Sequence, residues 1–403
     1  MFGGSGYDMV AQLGILNDLW KYNISTNQWT CMNFNFIANQ AGVYGTKGIA
    51  SPTNCPSPST ETACSWTDSN NNLWLFGGWA FDANTNTNVF LNALWKYNIS
   101  TNQWTWMSGD NLSAGSQVGV YGTQGVPSPL NKPGGRWCYD SWKDNFGNFW
   151  IFGGQGWDGT GGSPFNDMWK YDVATNEWTW MSGSNVPLQP NIYGTQCTNN
   201  SGAIPGASVE TRARWTDACG NFWLYGAGST NSLYIYKTAI NQWMWVRGNG
   251  FLPIYGTIGV SAPNNTPSQR TGAIGWIGNG ELWLFGGAGI DASTSIGDLN
   301  DLWRYVPDTA CGGCDLNTSG INENNNSEIF SVYPNPSSGI FTVTSQEEIT
   351  TIEIYNVLGE KIYKSEMRDK KYAIDLSGKA KGIYFVRIQS GDKISTQKIL
   401  LNE

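Results

Sequence analysis

No histidine occurs among the 403 residues. Its absence excludes His-ligated copper or zinc, Ser-His-Asp and Cys-His catalysis, and imidazole acid–base chemistry. Charge is scarce at 13% of residues, and 31 Asp and Glu outnumber 23 Lys and Arg, for a net charge of −8. No basic run is available to neutralise phosphates, which argues against a nucleic-acid partner. No stretch of about 18 apolar residues occurs, so nothing reads as a membrane-spanning helix. A charged n-region followed by an apolar h-region is also missing, so no signal peptide is read. The chain opens inside a repeated motif, Met1-Phe2-Gly3-Gly4, and the expectation is an N-terminally truncated polypeptide.

What the chain has in excess is aromatic side chains, 14% of residues with 22 Trp, together with 50 Gly. That composition suits many short strands joined by glycine-rich turns. One phrase recurs: Leu94-Trp95-Lys96-Tyr97, a polar turn ending in Asn102, then Gln103-Trp104-Thr105-Trp106. Copies begin at Leu19, Met168, Leu233 and Leu302, spaced 65 to 75 residues apart. Each reads as two strands around a turn in which Asn takes a left-handed conformation. A Gly-Gly doublet after an apolar strand precedes each copy, at Gly3-Gly4, Gly77-Gly78, Gly153-Gly154 and Gly286-Gly287, with Gly226-Ala227 as a degenerate version. The full unit is expected to hold four strands, in the third copy Arg136–Trp142, Phe149–Phe152, Met168–Tyr171 and Trp178–Met181. The first unit lacks its first strand and the fifth lacks its fourth.

Apolar residues occupy both parities of the second and third strands, so these sheets are expected to be covered on both faces. Nineteen of the 22 Trp fall at five positions of the unit, as at Trp66, Trp74, Trp95, Trp104 and Trp106. Repeated placement of this kind is what packing between neighbouring sheets requires. Trp79, Trp137 and Trp157 stand outside the periodic set.

The Gly-Gly doublet, the spaced aromatics and the later Trp resemble kelch repeats, and more closely the bacterial kelch proteins called galactose oxidase-like. The resemblance covers about residues 1–308 and implies an all-β, kelch-type β-propeller of five recognisable four-stranded units. It departs from the pattern at the arginine opening the first strand, present as Arg136 and Arg270 but replaced by Thr60 and Val209 elsewhere. Copper-dependent galactose oxidase activity is excluded, because the family's copper site needs two histidines and this chain has none.

After about Asp315 the chain turns polar and Asn-rich, so residues 311–328 read as a linker between a 1–310 propeller and a 329–403 domain. Alternating strands in the last 75 or so residues predict a small β-sandwich. This tail resembles the type A sorting domain of type IX secretion. Tyr333-Pro334-Asn335-Pro336 with Gly339, then Gly359, Gly382-Ile383-Tyr384 and Lys398 carry the match. The resemblance implies secretion or attachment to the outer-membrane surface of a Bacteroidetes-like bacterium, with the type IX machinery as a partner.

An Asp follows the doublet's Phe by six residues at Asp8, Asp82, Asp158 and Asp291, on the loop between second and third strands. Carboxylates beside Phe81, Trp79 and Trp157 suit sugar rings, and paired carboxylates suit glycoside hydrolysis; turn capping is the simpler reading. Trp79, Phe81, Asp82, Trp157, Asp158 and Asp291 are the candidate ligand-binding residues. The expected function is non-catalytic binding of a glycan or surface protein, with a carbohydrate-active enzyme as the alternative. No catalytic residue and no cofactor is assigned. Asp82-x-Asn84-x-Asn86 and Asp315-x-Asn317 imitate the start of a calcium loop but lack its closing Glu, so no metal is assigned either. Eight Cys fit an oxidising compartment, with Cys55/Cys64 and Cys197/Cys219 as possible loop closures and Cys311/Cys314 as a structural bridge or idle thiols.

Overall fold

In the computed structural model the described residues are 1–33, 36–60, 65–82, 87–111, 116–199, 202–307, 330–356, 359–390 and 393–402. The chain forms two compact units, Met1–Leu316 and Asn317–Glu403. Among the described residues there is no α-helix, only a three-residue 3-10 turn at Ala227–Ser229.

The first unit is a series of antiparallel sheets. The first contains β1 (Phe2–Tyr7), β2 (Leu13–Asn23) and β3 (Gln28–Cys31), in that order. The second contains β4 (Ser65–Thr67), β5 (Leu73–Asp82), β6 (Thr87–Asn98) and β7 (Gln103–Ser108). The third contains β8 (Arg136–Trp137), β9 (Asp140–Lys143), β10 (Phe149–Trp157), β11 (Gly162–Asp172) and β12 (Glu177–Ser182). The fourth contains β13 (Arg214–Thr216), β14 (Phe222–Tyr225), β15 (Leu233–Lys237) and β16 (Gln242–Arg247).

In the fifth repeat β17 (Arg270–Thr271), β20 (Ala288–Ile290) and β21 (Ile296–Asp298) pair beside a sheet of β18 (Ile274–Gly278), β19 (Glu281–Phe285) and β22 (Leu302–Tyr305). The sequence predicts one continuous first strand from Arg136 to Trp142. The chain instead breaks it at Cys138, whose φ of +51° interrupts the pairing. The break lets Trp137 and Arg136 pair with Gln155 and Gly156, beyond the glycine bulge of β10.

Local chemistry explains the repeat. Asn102, Asn176 and Asn241 sit at φ +54°, +59° and +53° in the strand-three to strand-four turns. Tyr97 and Tyr171 each donate a hydroxyl to the following turn Asn, at 3.0 Å. The Asn98 carboxamide accepts from Ser100 N and Thr101 N, closing an Asx turn. Gly153 lies at φ +61°, and a Cβ there would stand 2.8 Å from the Phe165 carbonyl. Glycine is therefore required at the bulge.

Consecutive sheets bury their aromatic faces against each other. Trp66, Trp74 and Phe76 of the second sheet pack with Phe149, Tyr171 and Trp178 of the third. Trp142, Trp150 and Phe152 of the third pack with Phe222, Tyr236 and Trp243 of the fourth. A series of indole N–H groups adds direction. Trp66 donates to the Trp142 carbonyl at 3.0 Å, and Trp142 to the Trp215 carbonyl at 3.0 Å. Trp215 then donates to the Trp283 carbonyl at 3.1 Å.

Two copies of these periodic tryptophans are exposed. Trp29 is 55% exposed, although its counterpart Trp104 is 4% exposed. Trp276 is 42% exposed, against 4% for its counterpart Trp142.

Cys197 and Cys219 are both disulfide-bonded. The Cys55 sulfur takes a hydrogen bond from Asn17 Nδ2 at 3.4 Å. Cys64, the Cys311/Cys314 pair and the 311–328 linker lie outside the described residues.

The second unit pairs β23 (Phe330–Tyr333), β24 (Ile340–Asn356), β26 (Gly382–Ser390) and β27 (Lys393–Leu401), with β25 (Lys361–Asp375) on β24. Val343, Ile352, Ile354, Val386, Ile388 and Ile399 form its core, which follows from strict alternation along those strands.

Candidate functional site

The three tryptophans outside the periodic set come together. Trp79 on β5 stacks on Trp137 of β8, with centroids 5.9 Å apart and planes at 24°. Trp79 pairs directly with Phe90 of β6, and Phe90 in turn lies 5.9 Å from Trp157 at the end of β10. Directly opposed residues of an antiparallel pair share a face, so Trp79 and Phe90 present one aromatic surface toward the third sheet. All four rings are half-buried. Phe81, two residues further along β5, belongs to the same face as Trp79. Phe90 was not legible as a site residue, because nothing in its own repeat marks it; its place opposite Trp79 comes from strand register.

Beside Trp157 lies a cavity of about 170 Å³ lined by Val118, Tyr121, Arg136, Asp158, Phe165 and Asn185, among others. Its floor is a buried network. Arg136 donates to both Asp167 carboxylate oxygens at 2.7 and 2.8 Å, and to the Gly153 carbonyl at 3.0 Å. The Tyr121 hydroxyl donates to Asp167 Oδ2 at 2.7 Å, and Trp169 Nε1 to the same atom at 2.7 Å. Burial, followed by the Asp167 charge, drives the Tyr121 hydroxyl far above its usual range. Tyr121 therefore meets the Arg136–Asp167 pair as a neutral phenol.

The repeated carboxylates are engaged locally. Asp158 accepts from Thr160 N, Thr160 Oγ1, Gly161 N and Ser163 Oγ at 2.7–2.8 Å. Ser163 chiefly, then the backbone of Thr160 and Gly161, hold its carboxyl well below the usual range. Asp291 accepts from Ser293 Oγ, Ser293 N and Ser295 N, and its carboxyl is lowered first by Ser293 and then by Ser295. Asp8 accepts from Val10 N, Gln12 N and Ala38 N. Asp82 is buried at the end of β5, opposite Thr87. Asp158 and Asp291 thus spend their lone pairs on their own loops, as turn-capping residues do, while Asp8 also holds the distant Ala38 N.

Asn84 and Asn86 of the calcium-like stretch, and the whole Asp315 stretch, lie outside the described residues. Among the described residues no group of three or more Cys, Asp or Glu is placed to hold a metal ion.

In the second unit, sequence-distant motif residues meet along β27. Asn335 Nδ2 donates to the Lys398 carbonyl at 2.8 Å, while Leu400 N donates to Asn335 Oδ1 at 3.0 Å. Ser337 N donates to the Leu400 carbonyl, and the Ser337 hydroxyl accepts from Gly339 N. Gly339 cannot carry a side chain, since a Cβ would meet Ser377 Cα at 2.6 Å. The Tyr384 hydroxyl donates to the Ala380 carbonyl at 2.7 Å. Tyr333 ends β23, Pro334 and Pro336 flank Asn335, Gly382 opens β26, and Gly359 takes φ +80° in the turn after β24. The motif is thus the set of contacts by which the 334–339 loop is laid on the last strand.

Residues 331–402 match the family described as the secretion system C-terminal sorting domain. A chain carrying this type IX sorting domain is exported and is secreted or held at the cell surface. The solved structures to which the chain is similar include two of low identity. One is PorZ, an essential bacterial surface component of the type-IX secretion system of human oral-microbiomic Porphyromonas gingivalis. It is 13% identical, with 99% of this chain and 44% of PorZ covered at a TM-score of 0.32. The chain therefore spans less than half the length of PorZ. The other is YjhT, 12% identical, with 98% of this chain and 96% of YjhT covered at a TM-score of 0.40. Among curated protein sequences, none matches. No helix among the described residues is long and apolar enough to cross a membrane.

Proposed function

We propose that this type IX export substrate is a kelch-type β-propeller at the cell surface that binds a glycan or protein through the loops at one end of its sheets. The observation that carries the reading is the gathering of Trp79, Phe90, Trp137 and Trp157 beside the Arg136 cavity. Periodic tryptophans are accounted for by sheet packing; these three are not, and they occupy one place. Half-buried aromatic faces next to a small polar-lipped cavity suit the C–H face of a sugar ring or an aromatic side chain of a partner. The propeller reading is supported by five successive antiparallel repeats with aromatic faces, the first three sharing a register shift at the glycine doublet. Binding is favoured over hydrolysis because Asp158 and Asp291 accept hydrogen bonds from their own turns, which hold both carboxyls below the usual range, so neither is poised as the proton donor that glycoside cleavage requires.

The test is a glycan array and a surface-protein pull-down with the full chain and with Trp79→Ala and Trp157→Ala variants. Saturable binding that both variants lose by about tenfold or more supports the reading. Binding left unchanged by both removes this cluster as the site.

A further inference from the structure

One outward face of the sorting domain breaks the alternation that its core obeys. Along β26, Tyr384, Val386, Ile388 and Ser390 are buried, so Ile383, Phe385, Arg387 and Gln389 turn away from the core. Along β27, Ile399 and Leu401 are buried, which turns Lys398 and Leu400 outward. An antiparallel sheet with one solvated face is expected to be polar on that face. Arg387 and Gln389 meet this expectation; Ile383, Phe385 and Leu400 do not.

Strand register gathers the exceptions. Ile383 pairs directly with Leu400, and Phe385 stands between Tyr355 of β24 and Lys398 of β27. Directly opposed residues share a face, so Tyr355, Phe385, Ile383 and Leu400 form one apolar surface across three strands. Ile383 is 39% exposed and Leu400 37%, while Tyr355 and Phe385 are half-buried.

The charges bordering this surface are not all answered. Lys361 lies over the Tyr355 ring and pairs with Glu353 at 2.6 Å, and Arg387 stands opposite the same Glu353. Lys398 differs. Its carbonyl accepts from Asn335 at 2.8 Å, but its exposed ammonium forms no ion pair among the described residues. The Asn335, Ser337 and Gly339 contacts, in turn, are spent inside the domain. A partner that reads the domain has to find its contacts on another surface.

We propose that the face of Tyr355, Phe385, Ile383 and Leu400, bordered by Lys398, is the surface by which the type IX machinery holds this domain. The occupant is a protein component of that machinery that presents an aliphatic surface with a carboxylate set against Lys398. Contiguous exposed apolar side chains mark a protein contact, and the aromatic ones supply most of its energy. The ammonium, unanswered in the free domain, is paired on docking and fixes the register of the two surfaces.

The test is export of the full-length protein from its native bacterium, read as the fraction reaching the medium or cell surface. Three variants are compared with the unaltered chain: Ile383→Thr with Leu400→Thr, Lys398→Glu, and Lys398→Arg. The first two should lower the exported fraction about tenfold or more, and Lys398→Arg should leave it unchanged. All the altered side chains point outward, so the urea midpoint of each purified chain should match that of the unaltered protein. If the threonine pair does lose stability, Lys398→Glu against Lys398→Arg still decides. Normal export of Lys398→Glu and of the threonine pair overturns the proposal. Normal export combined with loss of a dimer in the threonine pair, seen by sedimentation, assigns the face to a second copy instead. Normal export combined with loss of binding to vesicles of anionic phospholipid in Lys398→Glu assigns it to a membrane surface.

Discussion

Arg136 and Asp167 face each other through two parallel hydrogen bonds with 1% and 0% of their side chains exposed. Taking two charges out of water costs several kcal/mol per ion, and only good geometry with every remaining donor satisfied repays it. Here the Gly134 and Gly153 carbonyls take two of the other three guanidinium protons, and Tyr121 and Trp169 both donate to Asp167 Oδ2.

Removing one partner alone leaves a buried unpaired charge. Asp167→Ala is expected to destabilise the first unit by about 3–5 kcal/mol. The double change Arg136→Ser with Asp167→Ala reproduces the pattern of the second repeat, where register puts Ser59 and Ala93 at these positions, and should cost less than Asp167→Ala alone. Urea denaturation of the two variants measures the difference. Equal or greater loss in the double variant would refute it.

Trp142 is 4% exposed, stacks on Phe222 with centroids 5.3 Å apart, and donates to the fourth sheet. Trp142→Ala should cost about 3–5 kcal/mol by leaving a cavity between sheets. Trp142→Phe keeps most of the ring and loses the indole hydrogen bond, for about 1–2 kcal/mol. The ratio of these losses, from denaturation midpoints at constant slope, separates packing from hydrogen bonding.

The Asp158 loop has a defined acid response. Its carboxyl is lowered in the folded state, so the contribution to loop order is complete above the unfolded value near 4 and is lost as pH falls through the folded value. Trp157 fluorescence should stay flat from neutral pH down to about 4 and change only below it. Asp158→Ala should abolish that acid step. A transition centred near pH 6 would contradict the assignment.

In the sorting domain Asn335→Ala removes two hydrogen bonds to the β27 backbone, at 2.8 and 3.0 Å. The expected loss is about 1–3 kcal/mol for that domain. Export to the medium or cell surface should fall, with full-length protein accumulating behind the outer membrane. Asn335→Asp, which keeps one acceptor for Leu400 N, should be the milder change in a cell-fractionation assay.

The sheets were legible because period-two alternation and the repeated Asn turns are local signals, and five copies repeat them. The turn asparagines took the left-handed conformation their sequence position calls for. The break at Cys138 was not legible, since a non-glycine at positive φ leaves no mark in composition. Trp79 and Trp157 could be singled out by falling outside the repeat. That they share a surface with Phe90 and Trp137 could not, because the contact depends on register and on the stacking of separate sheets. Counting back from the first-strand Trp puts Thr60 at the place of Arg136, but Thr60 bridges Trp79 as Trp137 pairs Gln155, so Ser59 holds that place. Only the register of the sheet shows the one-residue offset.

The indole hydrogen bonds that run from Trp66 through Trp142 and Trp215 to the Trp283 carbonyl tie four successive repeats edge to edge. Each repeat leans on its neighbours, so stability along this stretch is a sum of nearest-neighbour terms rather than one global value. Amide exchange should be slow in the third sheet, which packs aromatic faces against both the second and the fourth.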